Sequence, residues 1–83
     1  MKTTFFYVYI LKSKARAEHY YSGFTENLDD RLKHHNSGAV PATAPYRPWE
    51  FKTAIAFTDR EQALAFERYL KTQSGRAFAK KRL

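Results

Sequence analysis

The 83-residue chain contains no cysteine. This absence excludes disulfides, thiolate metal ligands and a cysteine nucleophile, and it is typical of proteins from reducing compartments. No apolar run reaches the ~18 residues of a membrane span. The N-terminus also lacks the long apolar region and the cleavage site of a signal peptide. We therefore expect a cytoplasmic protein that makes no membrane contact.

Acidic residues are scarce, with 8 Asp and Glu against 15 Lys and Arg, so the formal net charge is +7. This imbalance favours an acidic partner, and nucleic acid is the commonest one. The alternative is a basic protein with no nucleic-acid role. The length favours a single domain over residues 1–83, and its core can draw on the 17% aromatic residues.

Three segments have the composition of β-strands, at residues 4–11, 19–25 and 50–57. The first is apolar on both faces, which predicts a central strand covered on both sides. In the third, Phe51, Thr53, Ile55 and Phe57 alternate with small or charged residues, so they share one face. Gly23 interrupts the second strand. It marks a bulge, a close approach by another backbone or a ligand, or a simple kink.

A helix is predicted over residues 28–36. Thr25 or Asn27 can cap its start, and Gly38 suits the left-handed position after its end. At about 100° per residue, Arg31 and His35 lie side by side next to the buried stripe of this helix. They are therefore expected near the sheet.

A second helix is predicted over residues 59–71, with Thr58 and Glu61 at capping-box spacing. Glu67 lies within its apolar stripe, where an unpaired carboxylate would be costly to bury. It must be paired, bind a metal or face a cleft. Between the helices, residues 39–48 hold all three prolines and form a loop. A short basic helix or a frayed tail follows Gly75.

Candidate nucleic-acid contacts lie in the loops and the basic C-terminal segment. In the loop over residues 39–48 the alternative is that Tyr46 and Trp49 fix the loop to the core. The candidates are Lys12, Lys14, Arg16, Tyr46, Arg47, Arg76, Lys80 and Lys81.

The segments Tyr7–Tyr9 and Tyr21–Gly23, followed by Arg31 and then Glu67 in a later helix, resemble the GIY-YIG nuclease superfamily. The resemblance covers nearly the whole chain. It is strongest to the small stand-alone bacterial members, which are related to the N-terminal nuclease domain found in the excinuclease ABC complex. It implies an α+β fold with a small central three-stranded antiparallel sheet flanked by helices.

The resemblance also implies metal-assisted phosphodiester cleavage in DNA. Tyr9 would be the base that activates water, or would hold that water, and Tyr21 would hydrogen-bond a phosphate or a water. Arg31 would bind the scissile phosphate, His35 would support it or relay a proton, and Glu67 would hold a single Mg²⁺ or Mn²⁺ ion. Because a free tyrosine has a pKa near ~10, such a base needs help from a nearby cation.

The chain departs from the family pattern at several positions. Tyr7 replaces the glycine of the first motif and Ser22 the isoleucine of the second, Phe24 stands where some relatives carry lysine, and no asparagine follows Asn36.

The first hypothesis is a DNA endonuclease, structure-selective in repair or DNA processing, that acts as a monomer or weak homodimer without a small-molecule cofactor. The second is a non-catalytic nucleic-acid-binding module that retains the fold. The third is a basic structural or interaction domain without a nucleic-acid role.

Overall fold

The structure is a computed structural model that describes residues 3–83. It contains three strands and three α-helices, so the predicted α+β class with helices flanking a small sheet is confirmed. A single 3-10 turn, Ala44–Tyr46, lies in the proline-containing loop. The elements are β1 (Phe6–Ser13), β2 (Tyr20–Thr25), α1 (Leu28–Asn36), β3 (Trp49–Phe57), α2 (Arg60–Leu70) and α3 (Gln73–Arg82).

The sheet has the strand order β2-β1-β3, and both pairs are antiparallel. The central position predicted for β1 is therefore confirmed, and its alternating residues enter two separate cores. Val8 and Ile10 pack with residues of α2 on one face of the sheet. Tyr9 and Leu11 pack with Trp49 on the other face.

A β-bulge in β3 changes which face one aromatic side chain occupies. Ile10 pairs with Thr53, but the next residue, Leu11, pairs with Phe51, so one extra residue is inserted in β3. Phe51 consequently packs against Tyr9, with ring centroids 5.9 Å apart at 83°. The prediction that Phe51 shares a face with Thr53 was wrong, because strict alternation fails at a bulge.

The observed bounds differ by a few residues from those predicted for β1 and β2. β1 begins at Phe6 and extends to Ser13, because Lys12 and Ser13 still pair with β3. β2 begins at Tyr20, one residue later than predicted. The Ser13 hydroxyl stabilises the hairpin loop by accepting hydrogen bonds from two backbone N–H groups, those of residues 15 and 16.

Helix α1 has the predicted bounds. The Asn27 side chain caps it by accepting a hydrogen bond from the Asp30 N–H at 3.0 Å. Thr25 was the other candidate cap, and its hydroxyl instead accepts from the Asn27 N–H. Gly38 follows the helix with φ of 85°, the left-handed conformation that glycine adopts without strain.

The starts of α2 and α3 differ from the predictions. Asp59 caps α2 by accepting from the Glu61 N–H at 2.9 Å, so the predicted capping box of Thr58 and Glu61 was wrong. The C-terminal segment is a helix of 10 residues that begins before Gly75, and Thr72 caps it. Gly75 has a packing role, because a Cβ atom there would collide with the Tyr69 carbonyl group of α2.

The helices lie on opposite faces of the sheet, and each face has its own core. Helix α2 packs against β1 and β2, and α3 packs on α2, which places the first core between these helices and the sheet. Leu28 and Leu32 of α1 pack into the second core, beside Tyr9 and Trp49. Within residues 3–83, no helix has the length and apolarity that a membrane crossing requires.

Candidate active site

The first candidate site residue, Tyr9, is almost fully enclosed and has a specific polar partner. It is 1% exposed, and its hydroxyl lies 2.9 Å from Nε2 of His35, which is also 1% exposed. The two rings meet edge to face, with centroids 6.0 Å apart. The sequence placed Tyr9 and His35 in different elements, and the packing of α1 on the sheet joins them in one hydrogen bond.

Gly23 on β2 makes this arrangement possible. It pairs with Tyr9 across the sheet, and a Cβ atom on Gly23 would lie only 2.6 Å from Cζ of the tyrosine ring. No side chain larger than hydrogen fits beneath this ring. A close approach to Gly23 does occur, but a side chain makes it, whereas the sequence had predicted a backbone or a ligand.

The second nitrogen of His35 binds Thr43, a residue that the sequence analysis did not select. Nδ1 of His35 lies 2.9 Å from the Thr43 hydroxyl, and Thr43 is 1% exposed. The sequence did offer one signal, because a buried imidazole needs partners for both nitrogens. It could not identify the partner, since residues 39–48 carry several polar groups and no periodic pattern. Tyr9, His35 and Thr43 are called the buried triad below.

Tyr21 lies at the border of the buried triad. Its ring centroid is 5.1 Å from that of His35, and the residue is only partly buried. The Lys71 ammonium lies 5.1 Å from the centroid of the Tyr21 ring, within the range of a cation–π contact. Tyr7 is also half-buried, but it packs against Phe5 and makes no ring contact with His35 within residues 3–83. Tyr21 is therefore the more open neighbour of the buried triad.

Arg31 lies close to the triad and has no acidic partner. Residues 3–83 contain two ion pairs, Arg60–Glu61 and Lys71–Glu67, and neither uses Arg31. The Arg31 side chain is half-buried and lines an open cleft of about 510 Å³ between β2 and the start of α1. Glu26 and Asp30 also line this cleft, but neither forms an ion pair with Arg31. A partly desolvated guanidinium that makes no ion pair is suited to bind an anion.

Charge and burial act on the protonation of the triad. Burial raises the pKa of the Tyr9 phenol to about 12, Arg31 opposes this shift, and the negative forms of Tyr21 and Glu67 add to it. Burial also lowers the pKa of His35, with further contributions from Arg31 and His34. At neutral pH the site therefore holds a protonated phenol and a neutral imidazole.

Glu67 has found a partner, one of the three outcomes predicted for it. Its carboxylate is 17% exposed and lies 3.1 Å from the Lys71 ammonium, one helical turn along α2. The same ammonium donates to the Ser22 carbonyl at 3.0 Å. The Glu67 carboxylate and a β2 carbonyl thus face one cation at the edge of the sheet. Lys71 was not among the predicted site residues, although its i, i+4 spacing from Glu67 was a usable signal.

The predicted nucleic-acid contacts form two groups. In the first group, Lys14 and Arg16 lie beside the loop of Arg47. The Lys14 N–H donates to the Pro48 carbonyl at 2.8 Å, and the ring of His19 stacks on that of Tyr46 with centroids 4.3 Å apart. Tyr46 is half-buried and packs in the second core. This agrees with the alternative that Tyr46 and Trp49 fix the loop to the core. The other group, Arg76, Lys80 and Lys81, is exposed on α3 at the opposite face of the sheet. Lys12 is exposed near the end of β1.

Comparison with known proteins is consistent with this geometry. The family model described as the GIY-YIG catalytic domain matches residues 5–82. The UPF0213 protein YazA of Bacillus subtilis (strain 168) is 33% identical over 72 residues, which cover 86% of this chain and 71% of the relative. The family match includes every residue of the buried triad together with Tyr21, Arg31 and Glu67. The chain therefore belongs to the GIY-YIG catalytic domain family, a family of nucleases.

Proposed function

We propose that this chain is a divalent-metal-dependent endonuclease that hydrolyses phosphodiester bonds of DNA, with residues 1–83 as one nuclease domain. The observation that carries the proposal is the half-buried Arg31 guanidinium, whose charge acts to lower the pKa of both Tyr9 and His35 and which forms no ion pair within residues 3–83. A half-buried guanidinium is partly desolvated, and the oxygens of a phosphodiester match its N–H groups.

Hydrolysis needs an attacking water, a proton acceptor and stabilisation of charge. The water oxygen forms a bond to phosphorus, the bond from phosphorus to one sugar oxygen breaks, the water loses a proton, and the leaving oxygen gains one. Negative charge grows on the phosphoryl oxygens during attack, and the Arg31 guanidinium stabilises it. The partly open Tyr21 supplies a hydroxyl that hydrogen-bonds the phosphate or the water.

Tyr9 and His35 together provide the acceptor. With a pKa raised to about 12, Tyr9 is protonated at neutral pH and cannot accept a proton from water unless it gives up its own. It can accept a proton from water if its own proton passes to His35, whose Nε2 is 2.9 Å away. His35 is available for this transfer because its lowered pKa keeps it neutral. Since Tyr9 is covered in the free protein, substrate binding has to bring the water to it, and Tyr21 is the second group that can hold this water.

GIY-YIG nucleases generally use divalent metal ions. In this chain we assign the binding of that ion to Glu67. The donor set fits one hard cation, because the Glu67 carboxylate and the Ser22 carbonyl already contact a common ammonium. Within the described residues no group of three His, Asp or Glu could share a metal ion. Mg²⁺ or Mn²⁺ held by Glu67 would therefore keep most of its waters. A bound ion would polarise the phosphate and stabilise the leaving oxygen.

Cleavage of labelled branched, single-stranded and duplex DNA with Mg²⁺ or Mn²⁺ tests the proposal. We expect Tyr9→Phe, Arg31→Lys and Glu67→Gln to lose roughly 10²–10³-fold in cleavage rate while DNA binding persists. Glu61→Gln, which changes an exposed carboxylate on the same helix, should cleave like the wild type. A preference for branched DNA would identify the structure-selective, repair-type activity.

Two outcomes would contradict the nuclease proposal. Salt-dependent DNA binding without cleavage of any substrate would select the non-catalytic binding module. Cleavage that Tyr9→Phe and Glu67→Gln both leave intact would show that a different site, or a contaminating nuclease, is responsible.

A further inference from the structure

The buried triad continues into the backbone of the proline-containing loop. Tyr9 lies 2.9 Å from Nε2 of His35, Nδ1 of His35 lies 2.9 Å from the Thr43 hydroxyl, and that hydroxyl lies 3.3 Å from the carbonyl of Val40. All three side chains of the triad are 1% exposed, so no bulk water competes for their protons. The hydrogen-bond pattern must therefore be satisfied within the protein.

A neutral imidazole carries one N–H, which allows two arrangements of protons. If Nδ1 holds the proton, Nδ1–H donates to Thr43, the Thr43 hydroxyl donates to Val40, and the Tyr9 hydroxyl donates to Nε2. If Nε2 holds the proton, it donates to Tyr9, and the single Thr43 proton must serve either Nδ1 or Val40. The first arrangement forms three hydrogen bonds and the second forms two.

We infer that Thr43 is a positioning residue that fixes the Nδ1–H tautomer of His35, so that Nε2 is the acceptor for the Tyr9 hydroxyl. The Nε2–H tautomer is disfavoured because it leaves the buried Tyr9 O–H without an acceptor among the described residues, and an unpartnered buried donor costs free energy. The Val40 carbonyl needs no proton from Thr43 in either arrangement, because it already accepts from two backbone N–H groups, those of Thr43 and Ala44. The tautomer follows from the geometry alone, whereas its catalytic meaning rests on the proposed function.

The position of Thr43 is itself fixed from two directions. Its carbonyl accepts a hydrogen bond from the Trp49 indole N–H at 2.9 Å, and its N–H donates to Val40 at 3.1 Å. Trp49 is in turn tied to α1, because the Asn36 side chain donates to the Trp49 carbonyl and accepts from its N–H. Asn36 directly follows His35. Trp49 therefore binds both Thr43 and the residue next to His35, and it holds the two partners of the Thr43–His35 hydrogen bond close together.

This tautomer determines what Tyr9 can do for a bound substrate. With its proton directed at Nε2, the Tyr9 oxygen keeps its lone pairs for a proton from water. The water O–H bond breaks and a Tyr9 O–H bond forms, while the original Tyr9 proton moves to Nε2. His35 then carries two N–H groups, and Thr43 still accepts from Nδ1. With the other tautomer Tyr9 would be a donor toward the phosphate and could not act as the base.

Long-range ¹H–¹⁵N NMR of the ¹⁵N-labelled full chain measures the tautomer directly. The His35 signals are assigned by their loss in His35→Gln. In the wild type we expect Nδ1 to show the chemical shift of a protonated nitrogen and Nε2 that of an unprotonated one. Thr43→Ser should preserve this pattern, and Thr43→Val, which removes only the hydroxyl, should shift the population toward Nε2–H. A wild-type protein with Nε2–H at His35 would overturn the inference.

Single-turnover cleavage separates positioning from structural support. We expect Thr43→Val to lose at least 10-fold in cleavage rate with unchanged DNA affinity, and Thr43→Ser to retain most of the rate. A folded Thr43→Val protein with the wild-type tautomer, or with the wild-type cleavage rate, would refute a positioning role. Absence of cleavage in the wild type would refute only the proposed function, because the NMR result stands independently.

Discussion

Tyr9 lies directly over Gly23, so that the backbone of β2 forms the floor beneath the phenol ring. The position of this ring determines whether its hydroxyl reaches Nε2 of His35. One glycine on an edge strand thus sets the geometry of a hydrogen bond that involves a helix on the same face of the sheet.

We expect Gly23→Ala to displace the Tyr9 ring and break its hydrogen bond to His35. In a strand, alanine is usually more favourable than glycine. Here its methyl group would overlap Cζ of Tyr9, and such overpacking typically costs about 1–3 kcal/mol. Urea unfolding would measure the loss of stability and DNA cleavage the loss of activity. Tyr20→Phe, at the exposed start of the same strand, is the control and should lose neither. A Gly23→Ala protein of wild-type stability would contradict the close approach.

The alkaline titration of tyrosine absorbance should contain one late component. Burial raises the pKa of Tyr9 from 10.0 to about 12, so the folded protein retains this proton where the unfolded chain releases it. Tyr9 therefore stabilises the fold fully below pH 10. Its contribution falls between pH 10 and 12 at about 1.4 kcal/mol per pH unit. Tyr9→Phe should remove the late component and this part of the decline in stability. If the component that disappears in Tyr9→Phe titrates near pH 10 and not near pH 12, the prediction is wrong.

His35 should make the protein less stable in mild acid. Its pKa is lowered below 6.5 by burial, Arg31 and His34, so the unfolded chain takes up a proton that the folded chain refuses. The contribution of neutral His35 is complete above pH 6.5 and is lost as the pH falls toward the folded pKa. Between pH 7 and 5, the unfolding free energy of His35→Gln should fall less steeply with decreasing pH than that of the wild type. The exposed neighbour offers the control His34→Gln, which should keep most of the slope.

Removing the Lys71 ammonium should tighten divalent-ion binding at Glu67. The pair is half-exposed, and such pairs contribute about 0.5–1 kcal/mol, so we expect Lys71→Met to bind Mn²⁺ roughly two- to fivefold more tightly. Electron paramagnetic resonance of free Mn²⁺ would measure this without DNA. Lys80→Met removes the same charge from α3 and should change the affinity less. Equal effects in both variants would point to net charge alone.

The two groups of basic residues should contribute unequally to DNA binding. Lys14 and Arg16 lie beside the loop that holds Arg47 and Thr43, whereas the exposed residues of α3 lie at the opposite face of the sheet. Changing all three of the first group to Gln should therefore reduce the salt dependence of binding by up to about 3 in log–log slope, at roughly 0.9 per phosphate contact. The matched triple change of Arg76, Lys80 and Lys81 should reduce it less. The reverse order would place the DNA on the α3 side.

Local sequence patterns were sufficient wherever a segment's own residues decide its structure. The bounds of α1 follow from Asn27, the apolar pair Leu28 and Leu32, and the glycine at 38, all of which act within a few residues. The central position of β1 follows from its two apolar faces. The capping of α2 was predicted wrongly because Thr58 and Asp59 both suit a cap, and their order of preference depends on the local backbone.

The candidate site was only partly readable from the sequence. Glu67 stands out because it lies within an apolar stripe, and Arg31 and His35 stand out because they lie beside one. The roles of Tyr9 and Tyr21 came from the resemblance to the GIY-YIG family. The partners themselves come from distant segments, and sequence spacing does not report those contacts. Thr43 lies 8 residues from His35 in a loop without periodicity, and the Lys71 ammonium reaches a carbonyl 49 residues away.

Sequence alone was enough to predict the elements and the residue types available for chemistry, because propensity, periodicity and charge are local properties. Three-dimensional packing decided that Gly23 lies under Tyr9, that Phe51 crosses to the same face through a bulge, and that Thr43 completes the buried triad. These relationships depend on strand register and on how α1 and the following loop pack on the sheet. Register and packing are set by the whole chain, since a shift of one residue in a strand moves every side chain to the opposite face.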